Sequence, residues 1–165
     1  MLRFLCEVTG LGVGLAALRP LFPKVPRCVM ENLLRRARVK DPMKAKHLRK
    51  ALESLAEEGV TQLFLPAIGS DMIVGAVGQL QFEVMADRLG EEYGLEVIFE
   101  PSPWAEARWI GGTKADLEDF MGKYRGQMAR DIDDDPVFLA KSSWETGYVM
   151  ERFPVVAFTK TKERG

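Results

Sequence analysis

The chain has 165 residues, of which 47% are apolar and 28% charged, with a formal net charge of −1. That length suits one ordinary domain, or one domain with an appended module, and the composition excludes a globally disordered chain. A near-neutral molecule has no overall field to steer it, so any contact with nucleic acid has to come from a local asymmetry of charge.

The two cysteines, Cys6 and Cys28, are too few for a disulfide framework, and no Cys/His group has zinc spacing. With His47 as the single histidine, neither a metal site nor a histidine-based triad is expected, and a reducing cytoplasm fits best. The opening run, MLRFLCEVTGLGVGLAALRP, is interrupted by Glu7, has no small-residue cleavage site and is too short to span a bilayer. Gly10, Gly12 and Gly14 lack the helix and acidic residue of a dinucleotide fingerprint and the Gly-Lys-Ser/Thr of a phosphate loop. Residues 1–30 are therefore expected to lie outside the core fold, and no membrane partner is expected.

From Leu33 the pattern becomes regular. Leu33–Lys40 alternates enough for a strand, with Leu34, Ala37 and Val39 as its apolar candidates. Asp41-Pro42 is a helix start, because Asp accepts orphan N–H groups and Pro at the first position gives up nothing. Leu48, Ala51, Leu52, Leu55 and Ala56 form the apolar stripe of that helix, and Gly59 ends it. Val60–Leu65 and Met72–Val77 read as the next two strands, joined by a turn over Ala67–Asp71. Gly75 and Gly78 bracket a tight turn. Phe82, Met85, Ala86, Leu89 and Tyr93 then recur with helical period, Gly94 sits at the stop, and Leu95, Val97 and Phe99 alternate as a fourth strand. The order strand, helix, strand, strand, helix, strand predicts an α+β fold, a ferredoxin-like two-layer sandwich over residues 31–110.

A smaller α/β extension is expected over residues 111–165. Trp104–Ile110 either extends the first sheet or crosses into this extension. Thr113 with Asp116 opens a third helix, whose stripe is Leu117, Phe120, Met121 and Tyr124. Arg130–Pro136 holds Asp131, Asp133, Asp134 and Asp135; it lacks the glycine and closing glutamate of a calcium loop and reads as a solvated loop. Val137–Ala140 reads as a strand. Ser142 or Ser143 caps a short helix carrying Trp144, Tyr148 and Met150 that Pro154 stops, and Val155–Thr159 reads as a last strand.

No constellation of reactive side chains stands out. Glu83, Asp87, Glu91 and Glu92 lie off the apolar stripe of the second helix and should be solvated. Ser142 and Ser143 are remote from His47 and lack a nucleophile-elbow pattern. Trp104, Trp109 and Trp144 sit beside apolar neighbours and read as packing anchors. One feature is less bland. Between Arg35 and Lys50 the bases are Arg35, Arg36, Arg38, Lys40, Lys44, Lys46, Arg49 and Lys50, against the single acid Asp41. On the first helix the bases precede the acids Glu53, Glu57 and Glu58, the wrong order for the helix dipole, where each misplaced charge costs about 0.3–1 kcal/mol. Such a pattern can be an ordinary solvated face; the other reading is a partner rich in phosphate.

The segments GAVGQLQFEVMADRL (residues 75–89) and EYGLEVIFEPSPWAEARWI (residues 92–110) carry a resemblance. Together with ARVKDPMKAKHLRKALESLAEEGVTQLFLP upstream and ERFPVVAFTKTKER at the end, they resemble the C-terminal domain of peptide chain release factor 3, a bacterial translational GTPase related to elongation factor G. Gly78, Leu80, Gln81 and Phe82 stand at the family's turn into a helix, and Glu100 with Ala107–Trp109 at its following strand. The likeness runs over Leu33–Arg164, with the motifs in the family's order and spacing. It implies the fold of the third domain of elongation factor G. It also implies a role in translation termination, in which GTP is used on the ribosome to promote departure and recycling of stop-codon-reading release factors. The C-terminal domain would dock that GTPase on the ribosome, near ribosomal RNA and a small-subunit ribosomal protein.

Some family properties are not expected here. GTP and magnesium belong to a domain that does not fit into the residues before Leu33, nor does the β-barrel domain that should precede the resemblance. The resemblance therefore implies no catalytic residue, no cofactor and no enzymatic activity for this chain. It implies instead a truncated, split or frame-altered product, monomeric and cytoplasmic. Arg35, Arg36, Arg38, Lys46, Arg49 and Lys50 are the residues expected to meet the ribosome. The alternatives are a stand-alone module binding RNA or a ribosomal protein, and an inactive gene fragment.

Overall fold

A computed structural model describes residues 33–160 and residue 162, so the expectations on Met1–Met30, Cys6, Cys28 and the Gly10–Gly14 string lie outside the described residues. The first strand, β1 (Leu33–Val39), is apolar on both sides. Ala37 packs with the helical layer and Leu34 on the opposite face, which requires a cover on each side of the sheet. Asp41 then accepts the N–H of Met43 at 3.0 Å, and Pro42 opens one 3-10 turn that runs into α1 (Ala45–Glu57). The expected stripe, Leu48, Ala51, Leu52, Leu55 and Ala56, is buried.

Next come β2 (Gln62–Pro66), β3 (Met72–Ala76), α2 (Gln79–Tyr93) and β4 (Val97–Pro101). Gly94 ends α2 at φ 61°, a left-handed conformation that a side chain would resist. The βαββαβ order expected from the sequence is present. Its strands lie side by side as β4-β1-β3-β2, and β1 pairs antiparallel with both β3 and β4. Leu52 and Leu55 of α1, Phe82 and Met85 of α2, and Leu63 and Val74 of the strands share one core, so both helices cover the same face.

The second unit begins with β5 (Glu106–Gly111), then α3 (Lys114–Lys123), β6 (Met128–Arg130), β7 (Pro136–Ala140), α4 (Ser143–Arg152) and β8 (Ala157–Thr159). β5 pairs with β7 and β8, so the segment around Trp104–Ile110 crosses into the second unit rather than widening the first sheet. Thr113 accepts the N–H of Asp116 and donates its hydroxyl to the Asp116 carboxylate, so the helix is capped where the spacing suggests, without the second backbone bond of a full capping box. The last strand is shorter than expected, because Val155 is exposed and pairing starts at Ala157.

The two halves join where Leu65 and Pro66 at the end of β2 pair with Arg130 and Ala129 of β6, completing an eight-stranded antiparallel sheet. Side-chain alternation along β7 shows how it folds on itself. Val137 and Leu139 pack with Leu34, Phe64 and Ile73 of the first unit, while Phe138 and Ala140 pack with Phe120 of α3 and Val149 of α4. The layers run from α1 and α2, through two packed halves of the sheet, to α3 and α4.

The Asp-rich stretch corrects the expectation of a solvated loop. Asp131 is only 7% exposed. Its Oδ1 accepts the backbone N–H groups of Asp133 and Asp135, each at 2.9 Å, and its Oδ2 accepts the Trp109 indole N–H at 2.9 Å. Ile132 packs against the core of the first unit. A carboxylate is retained here because four donors converge on it, the fourth being Lys162 Nζ at 3.0 Å. A second correction concerns the tryptophans. Trp109 is buried and Trp104 half-buried, as packing anchors should be, but Trp144 is 75% exposed. The buried side of α4 is carried by Thr146 and Val149, and Thr146 is satisfied by the Glu106 carboxylate at 2.7 Å.

Candidate nucleic-acid interface

The basic run from Arg35 to Lys50 straddles two elements, and the fold divides it. Along a strand, successive side chains point to opposite faces. Arg36 and Arg38 therefore share the face of Leu34, away from the helices, whereas Arg35 points to the helical side and donates to Gln79 Oε1 at 3.3 Å. On their own face the two arginines meet acids from distant parts of the chain. Arg36 lies 3.3 Å from Asp71 and 3.1 Å from Glu100. Arg38 lies 3.5 Å from Glu100 and 4.0 Å from Asp71. The hydrogen bond with Asp71 outweighs partial burial and, with the charge of Glu100, holds the Arg36 guanidinium above its ordinary value. This is a closed network of two cations and two anions, with little net charge to offer a partner.

α1 differs. Lys46, Arg49 and Lys50 are exposed, on the side opposite Leu48, Leu52 and Leu55. Arg49 makes the expected i, i+4 pair with Glu53 at 2.8 Å. Lys46 and Lys50 have no ion pair among the described residues, and no acid stands in the first turn of the helix. Nearby, Lys44 donates to the carbonyl of Gly94, and Lys40 pairs with Glu96 at 2.7 Å, a hydrogen bond that holds the Glu96 carboxyl below its usual range. Of the six residues singled out from the sequence, the structure brings Lys46, Arg49 and Lys50 together on one outer face. Arg36 and Arg38 lie on the other side of the sheet, and Arg35 lies beside the start of α2.

Sequence reasoning missed the acidic partners of the β1 arginines, because Asp71 and Glu100 lie on the far ends of other strands. It also missed that three carboxylates of the Asp-rich stretch converge on one cation. Asp131, Asp133 and Asp135 gather around the ammonium of Lys162, 3.0 Å from Asp131 and 2.9 Å from Asp133. Burial pulls that ammonium down, and its hydrogen bonds to Asp135, Asp133 and Asp131 outweigh this and raise it above the ordinary lysine value. The cluster already contains its cation and works as a structural tie. Glu83, Asp87 and Glu91 are exposed as expected, and Glu92 is exposed but paired with Arg88 at 2.7 Å. Among the described residues no helix is long and apolar enough to cross a membrane.

Fold and surface together define a two-unit α+β domain whose distinctive chemistry lies on its outer helices. The family model for the C-terminal domain of the class II release factor RF3 matches residues 22–150. The chain belongs to that family. It thus carries a domain of a translation termination factor, a class that works at the ribosome.

Proposed function

We propose that this chain is a ribosome-docking domain acting in translation termination, and that the outer face of α1 meets ribosomal RNA. In this reading the domain serves recycling of the stop-codon-reading release factors, works in the cytoplasm as a monomer, and also touches a small-subunit ribosomal protein. The observation that carries it is the face made by Lys46, Arg49 and Lys50. Two of its three cations have no anion within the described chain, and all sit in the half of the helix where the dipole disfavours them. Phosphate contacts of this kind position a protein without reading sequence, as a docking domain requires.

Charge reversal tests it. In Lys46→Glu/Arg49→Glu/Lys50→Glu the buried stripe is untouched, so the fold should persist; the better fit of acids to a helix N-terminus offsets the lost Arg49–Glu53 pair and the new like-charge i, i+4 neighbours, and the melting temperature should change little. Binding to purified ribosomes should weaken at least tenfold. Its log–log salt slope should flatten by roughly 0.7–0.9 for each phosphate that the variant no longer neutralises. Equal affinity and equal slope for wild type and variant at two salt concentrations would refute the proposal.

The chain itself is proposed to be non-enzymatic. It contains no Gly-x-x-x-x-Gly-Lys-Ser/Thr segment, the backbone cradle by which such proteins hold nucleotide phosphates. Titration with a fluorescent GTP analogue should show no saturable binding; micromolar binding that unlabelled GTP competes away would overturn this part of the reading.

A further inference from the structure

The outer face of α2 carries the opposite charge to that of α1. Leu80, Glu83, Val84, Asp87 and Glu91 follow the spacing i, i+3, i+4, i+7, i+11 and form one stripe, opposite the buried Phe82, Met85 and Leu89. Leu80 is 73% exposed and Val84 43%, so the N-terminal end of the stripe is apolar and open. Val77, just before the helix, adds to it at 53% exposure.

The remainder of the stripe is acidic and unneutralised. Glu83, Asp87 and Glu91 stand at successive i, i+4 positions, an arrangement of like charges that destabilises a helix. None of the three has a cation within ion-pair distance among the described residues. The one arginine of α2, Arg88, is turned away and held by Glu58 at 2.9 Å and Glu92 at 2.7 Å. Gly90 meets no atom where a Cβ would stand, which leaves the helix surface low beside Asp87 and Glu91. There an open groove runs between α2 and the start of β4, bordered by Leu95, Val97 and the mutually neutralised pair of Lys40 and Glu96.

We infer that this α2 face docks a polypeptide segment rich in lysine and arginine that also carries apolar side chains. The cations of the segment answer Glu83, Asp87 and Glu91, and its apolar residues cover Leu80 and Val84. Charge complementarity selects this occupant. A nucleic acid would meet three uncompensated carboxylates, and a second copy of the same face would set acid against acid. The inference rests on the proposed ribosome docking and gives it a division of labour, with α1 turned to RNA phosphate and α2 to a basic protein.

The experiment uses the full chain and purified bacterial 70S ribosomes, in sedimentation binding and in zero-length carbodiimide cross-linking mapped by mass spectrometry. Two α2 variants are compared with the α1 reversal: Glu83→Lys/Asp87→Lys/Glu91→Lys, and Leu80→Ser/Val84→Ser with all acids kept. All the substituted positions are exposed, and unchanged circular dichroism and melting curves establish that the fold is intact. Supporting results are cross-links from Glu83, Asp87 or Glu91 to lysines of a ribosomal protein, and at least tenfold weaker binding of each α2 variant. Tighter binding of the lysine variant would place RNA against this face and overturn the inference. Wild-type binding by both α2 variants, with the α1 reversal weakened, would overturn it while leaving the docking proposal standing. Absence of ribosome binding by the wild-type chain would overturn both.

Discussion

Phe120→Ala should destabilise the domain by about 3–5 kcal/mol, the range for truncating a buried phenylalanine. Phe120 is the one aromatic of α3 with no exposed surface. Four rings surround it: Tyr124 stacked at 4.9 Å between centroids, and Phe153, Phe158 and Phe138 edge-on at 5.1, 5.5 and 5.6 Å. These partners come from the residues capping α3 and α4 and from β8 and β7, so one side chain ties the outer helices to the second half of the sheet. Each aromatic pair adds about 0.5–1.5 kcal/mol beyond area burial, and rings held from four elements cannot all collapse into the space left behind. Phe120→Leu keeps most of the volume and should cost markedly less. Urea denaturation gives the answer through a lowered midpoint at unchanged slope. A loss below about 1.5 kcal/mol for Phe120→Ala would show that the cluster closes over the gap, and that its ring geometry contributes little.

Phe120 was legible in the sequence, and the reason bears on what was not. In α1 and α2 the buried residues are all apolar and recur at helical period, so period, caps and stops agree, and the first unit follows from them. The αL stop at Gly94 and the cap at Asp41 sit where their residue types require. α4 breaks this rule. Its inner face uses Thr146, made acceptable by the Glu106 carboxylate on a neighbouring strand, while Trp144 and Tyr148 stack on each other outside at 5.6 Å. Size and hydrophobicity pointed to the wrong side of the helix, and only the tertiary partner of Thr146 corrects them. β6 was missed because three residues carry too little alternation to register, although it is the strand that joins the two halves of the sheet.

The candidate site shows the same limit in charge. A run of bases is contiguous in sequence, but a strand alternates and a helix turns, so contiguity is not a surface. Arg36 and Arg38 are neutralised by Glu100, across from Arg36 on β4, and by Asp71, just before β3. Lys46 and Lys50 keep their freedom because the outer face of α1 has no neighbouring element to supply an acid. The acidic stripe of α2 could be read as exposed from its helical phase. That it shares a side of the sheet with the basic helix follows from the expected two-layer order; that it lacks partners needed the fold.

The Asp-rich loop yields the second large effect. Asp131→Ala should destabilise by about 3–5 kcal/mol, the range for removing one member of a buried charged network. Four neighbouring aspartates look equivalent as letters, but only Asp131 is buried, and its carboxylate is the common acceptor for the Asp133 and Asp135 N–H groups, the Trp109 indole and Lys162. Taking it away strands those donors and releases a turn that holds Asp134 at φ 67°. The consequences should spread, because Ile132 in the same loop packs on the first unit and Trp109 lies in the core between the two halves of the sheet. Asp131→Asn should also be costly. Its amide keeps one acceptor for the backbone, but it turns a donor toward the indole N–H and the Lys162 ammonium. Asp134→Ala is the matched control; that side chain is exposed and pairs only with Arg130, so its removal should cost no more than about 1 kcal/mol, chiefly because alanine resists the left-handed backbone at φ 67°. Equilibrium denaturation followed by tryptophan fluorescence measures all three, with Trp109 reporting the loop directly. If Asp131→Ala behaved like Asp134→Ala, the loop would be the solvated segment its composition suggests, and the tie between Trp109, Asp131 and Lys162 would contribute nothing to the fold.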